Sequence, residues 1–121
     1  MRALPFLALL SVVVGCKGNS LPPPASPDQA RSALVTSLDT WKAGGSKDDL
    51  VGRAPPIYFN DSRFGSDVRL LAYTLADGHE SYGQSVRISV VLSLQRPDGT
   101  TTERKATYLI DTSPAIVIVP G

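Results

Sequence analysis

Val86-Arg87-Ile88-Ser89-Val90-Val91-Leu92-Ser93-Leu94-Gln95 decides the fold of this 121-residue chain. Val86, Ile88, Val90, Leu92 and Leu94 fall on one side of an extended backbone, and Arg87, Ser89, Ser93 and Gln95 fall on the other. Successive side chains of a strand point to opposite faces, so this period-two pattern describes a strand with one face in a core. Pro97-Asp98-Gly99 follows. Proline presets φ and glycine accepts a positive φ, which is the chemistry of a tight turn. The return strand spans Thr102 to Ile110, with Ala106, Tyr108 and Ile110 sharing a face. Further out, Val68 to Ala76 is rich in aliphatic residues and reads as another strand. Ile57-Tyr58-Phe59 behind Pro55-Pro56 reads as a short edge strand, and Ala115 to Val119 behind Pro114 as the last one. Short turns between consecutive strands imply four or five strands in an antiparallel sheet.

One helix precedes them. Ser26 suits an N-cap, Pro27 the first helical position, and Gln29 completes an S-x-x-Q capping box. Ala30, Ala33, Leu34, Leu38 and Trp41 recur at three- and four-residue steps and make one apolar stripe. Gly44-Gly45 ends the helix, because glycine takes a left-handed cap without a Cβ clash. Ser46 to Leu50 reads as one more helical turn capped by Ser46. The fold class expected is α+β, with one N-terminal helix packed on the apolar face of the sheet. Over residues 26–119 this order of elements resembles the cystatin-like architecture, or a reduced nuclear-transport-factor-two-like cone. The resemblance implies a fold and is silent on function. Trp41-Lys42-Ala43-Gly44 at the helix end and Thr112-Ser113-Pro114 before the last strand are similar to segments of uncharacterised small bacterial lipoproteins.

The start of the chain carries its clearest motif. Met1-Arg2 gives a basic start, Ala3 to Val14 a compact apolar run, and Lys17-Gly18-Asn19-Ser20 a polar continuation. A helix that crosses a bilayer needs about 20 apolar residues, more than this run supplies. A short apolar run behind one basic residue reads as a secretory signal peptide. Val13-Val14-Gly15-Cys16 is similar to the lipobox of bacterial lipoprotein precursors. That resemblance implies cleavage before Cys16 and attachment of palmitate-type lipid to its sulfur. Cys16 is the only cysteine, and acylation accounts for an unpaired thiol in an exported chain. Each buried methylene contributes about 0.8 kcal/mol, so two or more acyl chains anchor durably. The expected divisions are a signal peptide at 1–15, an acylated Cys and proline-rich tether at 16–25, and a single α+β domain at 26–121. Pro22-Pro23-Pro24 stiffens the tether as an extended spacer.

Charge and motif content narrow the function. Lys plus Arg number 12 and Asp plus Glu 11, with the signs interspersed, so the clustered basic surface that captures nucleic acid is missing. One histidine and a lipidated cysteine give no zinc ligand set, and the scattered Asp48, Asp49, Asp61 and Asp67 read as cap and turn residues. No metal site and no cofactor are expected. Gln84-Ser85-Val86-Arg87-Ile88 matches the cystatin inhibitory loop Q-x-V-x-G only at Gln84 and Val86, and Ile88 replaces the bending glycine. Trp41, Tyr58, Phe59, Phe64, Tyr73, Tyr82 and Tyr108 read as core builders for a small domain. Asp77, His79, Glu80 and Tyr82 form a polar segment between the second and third strands, read as a wide hairpin and a candidate interaction loop. The function expected is non-enzymatic: a lipid-anchored envelope module facing the periplasm or the cell exterior, binding a protein partner through this loop or an edge strand. Alternatives are a small-molecule carrier with a cavity between helix and sheet, and a small enzyme using His79 with Asp77 or Glu80.

Overall fold

The computed structural model describes residues 24–121. The leader expected at 1–15, Cys16 and the expected tether up to residue 23 lie outside the described residues. Helix α1 spans Pro27–Lys42 and the short helix α2 Lys47–Val51. The strands are β1 Ile57–Phe59, β2 Arg69–Leu75, β3 Glu80–Tyr82, β4 Ser85–Gln95, β5 Thr101–Asp111 and β6 Ile116–Pro120.

Both ends of α1 form as their residue types dictate. Ser26 Oγ accepts from the Gln29 N–H at 3.3 Å, half of the capping box. The Ser26 N–H donates to Thr112 Oγ1 at 3.1 Å, so the β5–β6 connection satisfies this group in place of the Gln29 side chain. At the other end Gly44 takes φ +83°, its N–H donates to Trp41 O, and the Gly45 N–H donates to Thr40 O. This Schellman arrangement uses up carbonyls that helix geometry leaves without partners. Between the caps, Ala30, Ala33, Leu34, Ser37, Leu38 and Trp41 are buried, and the Ser37 hydroxyl is satisfied by the Ala33 carbonyl at 2.9 Å. Helix α2 starts where Asp49 Oδ2 accepts the Ser46 N–H at 2.9 Å, and it buries Leu50.

The sheet runs β1-β6-β5-β4-β2, with β3 also paired to β4. It is mixed, which corrects the expectation of a purely antiparallel sheet: β1 lies parallel to β6, Ile57 opposite Ile116 and Phe59 opposite Ile118. The paired residues Ile57 and Ile116 lie 59 positions apart, and no local pattern specifies a pairing of that span. Strand β3 is the second correction. Asp77 to Gln84 is not one wide loop: Glu80 pairs with Arg87 and Tyr82 with Ser85, and Gly83-Gln84 alone makes the turn into β4. Gly83 adopts φ +61°, a conformation closed to most side chains. Strands β2 and β3 thus lie end to end along one edge of β4, and the residues 76–79 bow out between them.

The inward register of β4 behaves as its alternation demands. Val86, Ile88, Val90, Leu92 and Leu94 are all buried. They join the helix stripe, Leu50, Ile57, Phe59, Phe64, Tyr108, Ile110, Ile116 and Ile118 in one cluster. Trp41, Phe59, Phe64 and Tyr108 form a chain of tilted rings with centroids 5.4–6.3 Å apart, the spacing that aromatic quadrupoles favour. The Trp41 indole N–H donates to the Val68 carbonyl at 3.2 Å. Asp39 Oδ1 accepts from the Tyr73 hydroxyl at 2.6 Å, tying α1 to β2. Desolvation and this bond push the Tyr73 phenol up to about 12.

Trp41→Ala removes the ring shared by Phe59 and Phe64 and orphans the Val68 carbonyl. The expected cost is about 3–5 kcal/mol in urea unfolding monitored by circular dichroism. A loss below about 1 kcal/mol would place the indole outside the core.

Candidate functional site

The sequence-selected residues divide between two settings. Cys16 lies outside the described residues. Asp77 and His79 sit in the bowed segment, and Glu80 and Tyr82 lie on β3, all of them exposed. What holds the segment is Arg31 of α1, whose Nη2 donates to the carbonyls of Ala76, Asp77 and Gly78 at 2.9, 3.1 and 3.0 Å. A guanidinium thus collects three backbone acceptors that leave the β ladder, and the bow becomes a defined feature of the surface. Glu80 Oε1 pairs with Arg87 Nη1 at 3.3 Å, and the Arg87 guanidinium lies 4.4 Å from the centre of the Tyr82 ring. Glu80 and Tyr82 therefore act together on Arg87, as neighbours two apart on a strand can. His79 and Glu80 both line an open recess of about 290 Å³ with Arg87 and Ser89. Among the described residues no carboxylate is hydrogen-bonded to His79. General acid–base work by a histidine calls for such an orienting partner.

A second polar constellation was not singled out from the sequence. Asp61 follows β1 and is only 2% exposed. Arg63 donates to it three times, from its backbone N–H at 2.9 Å and Nε at 3.0 Å to Oδ1 and from Nη2 at 2.8 Å to Oδ2. The Tyr108 hydroxyl on β5 donates to Oδ2 at 2.6 Å. Asp61 is therefore not merely the turn residue expected from its loop position. Its enclosure raises the energy of the anion, but the bonds from Arg63 and Tyr108 and the positive charge of Arg63 outweigh this and hold the carboxyl below its ordinary 3.8. The Tyr108 phenol moves the opposite way: desolvation and the adjacent Asp61 anion push it above its ordinary value. The arrangement keeps Asp61 an anion and Tyr108 a neutral donor across the neutral range. Burial and full pairing suit it to holding the β1 exit against β5. One sequence signal could have found it: Tyr108 lies on the inward register, and a buried phenol calls for an acceptor.

Asp48, Asp49 and Asp98 serve where caps and turns need carboxylates, Asp98 Oδ1 accepting the Thr100 N–H at 2.9 Å and its hydroxyl at 2.7 Å. No cluster of His, Cys, Asp and Glu among the described residues could hold a metal ion. None of the described helices is long and apolar enough to cross a membrane. Comparison with family models, curated proteins and solved structures returned no match.

Tyr108→Phe leaves one Asp61 acceptor site short of a donor and is expected to cost about 1–3 kcal/mol. Asp61→Ala orphans both Tyr108 and Arg63 and is expected to cost more, about 3–5 kcal/mol. Urea unfolding of both variants checks the order, and the reverse order would remove Asp61 from the centre of the network. Stability also carries a pH signature. The Asp61 contribution is complete above 3.8 and is lost as the pH falls through its lower folded value. The Tyr108 contribution is complete below 10.0 and is lost as the pH rises toward its higher folded value. Unfolding midpoints of Asp61→Ala should accordingly fall less steeply between pH 4 and pH 2 than those of the parent, by this linkage. By contrast, His79→Ala is expected to change stability by less than about 0.5 kcal/mol, as exposed substitutions do. A larger loss in the same assay would give His79 a contact of its own.

Proposed function

We propose that the chain is a lipid-anchored, non-enzymatic module of the cell envelope that acts by binding a partner. The observation that carries this reading is the way the chain enters the domain. The Ala25 N–H donates to the Gln84 carbonyl at 2.8 Å and the Ser26 N–H to Thr112 Oγ1 at 3.1 Å. Two successive residues are thus pinned to one end of the sheet, between the β3–β4 turn and the β5–β6 connection. A tether running back from Ala25 through Pro24-Pro23-Pro22 to Cys16 would leave from that end alone, so an acyl anchor would orient the domain rather than merely retain it.

Two edges of the sheet are open to strand addition. Strand β2 presents one, interrupted by a register shift between Leu70 and Ala72, and β1 presents the other with Tyr58 42% exposed. The recess of His79, Glu80 and Arg87 adds a polar surface beside the first edge. A cystatin-like arrangement is proposed on the order of elements alone, and the parallel β1–β6 pair departs from the antiparallel sheet on which that likeness was drawn. The carrier alternative needs space between α1 and the sheet, where Leu34, Leu38, Ile88, Leu92, Tyr108 and Ile110 are enclosed by one another.

Cys16→Ala tests the anchor in a bacterial host. The expected result is loss of radiolabelled palmitate and transfer of the protein from the membrane pellet to the soluble fraction. Retention and labelling equal to the parent would reject the lipid reading.

A further inference from the structure

We propose that the end of the domain farthest from the tether holds a binding site for an oxyanion, a carboxylate or phosphate group of a small molecule, built by Arg63, Arg96, Arg104 and Thr102. These residues, with Val68 and Leu94, line a pocket of about 220 Å³. That exceeds the roughly 150 Å³ engineered cavity that takes up benzene, so an anionic group with a few attached atoms has room.

The first ground is the position of Arg104. On β5 the inward register runs Ile110, Tyr108, Ala106, Arg104, Thr102, opposite Val86, Ile88, Val90, Leu92 and Leu94 of β4. Arg104 is exposed although its cross-strand partner Leu92 is fully buried, so a charge stands at the edge of the apolar face. Its charge, with that of Arg96, enters a recess floored by Val68 and Leu94. Arg96 and Arg104 are both exposed to solvent, and hydrogen bonds from charged donors are roughly twice as strong as neutral ones.

The second ground is Arg63. Its Nε and Nη2 are taken by Asp61, and Asp61 is fixed in turn by Tyr108. The guanidinium is locked before any ligand arrives, with Nη1 free of protein acceptors among the described residues, so little side-chain entropy is lost on binding. The third ground is the shortage of competing anions. Among the described residues the ion pairs are Arg63–Asp61 and Arg87–Glu80, which leaves Arg96 and Arg104 without a carboxylate. Asp98 bonds Thr100 and acts on Arg96 through its charge without an ion pair, and Asp67 beside Val68 is exposed to solvent. Two unpaired guanidinia and the free edge of a third therefore face one recess, where planar forks suit the oxygens of carboxylate and phosphate.

The inference deepens the proposed function and rests on it for orientation only. Strand β4 begins beside Gln84, where the chain enters, and ends beside Arg96. Ten strand steps put the pocket about 33 Å from the entry point. An anchored domain would present the pocket away from its own bilayer, so a soluble anion is the expected source.

The test uses the purified full-length chain, titrated separately with inorganic phosphate and with succinate and followed by amide NMR. Saturable shifts at Arg63, Arg96, Thr102 and Arg104 with at least one probe are expected, and the stronger probe distinguishes phosphate from carboxylate ligands. Arg104→Gln is expected to weaken binding about tenfold, the scale of one charge-assisted hydrogen bond. Lys105→Gln, the same charge change one residue along on the outer face, is expected to leave binding unchanged. Absence of saturable shifts with either probe, or equal weakening by both variants, would overturn the site. The Cys16→Ala chain is expected to bind as the parent does, so loss of the anchor and loss of the pocket are separate results.

Discussion

Strand β4 is the element on which every other one depends, because both of its edges are paired along nearly its whole length. One edge carries β5 in an unbroken ten-pair register from Val86–Ile110 to Gln95–Thr101, and the other carries β3 and then β2. Its alternation leaves no freedom in which face is inward, since a slip of one residue would put the five buried aliphatics in water and Arg87 and the serines in the core. The buried residues of the helix stripe, Trp41, Phe59, Phe64 and Tyr108, and Ile57 of β1 belong to the same core cluster as that face. The β4–β5 hairpin is also the most local of the long pairings, so it can form at little loop-closure cost before the parallel β1–β6 contact is made.

Among the described residues Asp61 is the buried charge, and the manner of its burial matters more than the energy it returns. Replacing a buried ion pair with apolar groups is often neutral, so Asp61 and Arg63 are poor candidates for raising stability as such. Their arrangement achieves something else. Asp61 and Tyr108 are 47 positions apart, and their bond fixes the chain leaving β1 against the middle of β5. The same carboxylate holds two nitrogens of Arg63 in one plane and so sets the direction of the third. Structural satisfaction of an anion and presentation of a cation are achieved by the same three side chains.

The sequence made the local features legible and left the non-local ones hidden. The α1 stripe, its Ser26 and Gly44 ends, β4, the Pro97–Gly99 turn and β5 follow from spacing and residue type, and the structure places them within a residue or two. Strand β3 escaped because Glu80, Ser81 and Tyr82 are all exposed, so no apolar alternation marks it and only its backbone pairing makes it a strand. The parallel β1–β6 contact escaped because two runs of three to five apolar residues carry no information about direction. Asp61 was read through its loop neighbours, and its burial depends on Tyr108, far away in the chain. Arg104 was within reach. Extending the Ala106–Tyr108–Ile110 face by one more step lands on it, an exposed charge where that face runs out of the core.

The two ends of the domain differ in a way that a single core could not require. At the entry end several polar groups are paired internally: Ser85 bonds the Asp111 carboxylate, Thr112 takes the helix N-terminus, and Gln84 takes Ala25, while Arg87 Nε is buried without a partner among the described residues. At the far end Arg96 and Arg104 are left without carboxylate partners around a recess. Arg104 is exposed, so packing neither demands nor forbids an arginine opposite Leu92. The two ends of β4 thus differ in degree: most polar groups are paired at the entry end, and two exposed arginines carry no ion pair at the far end. On the proposed reading the spacer and the pocket would take opposite ends of β4, which is the arrangement a tethered binding domain needs if its ligand arrives from solution.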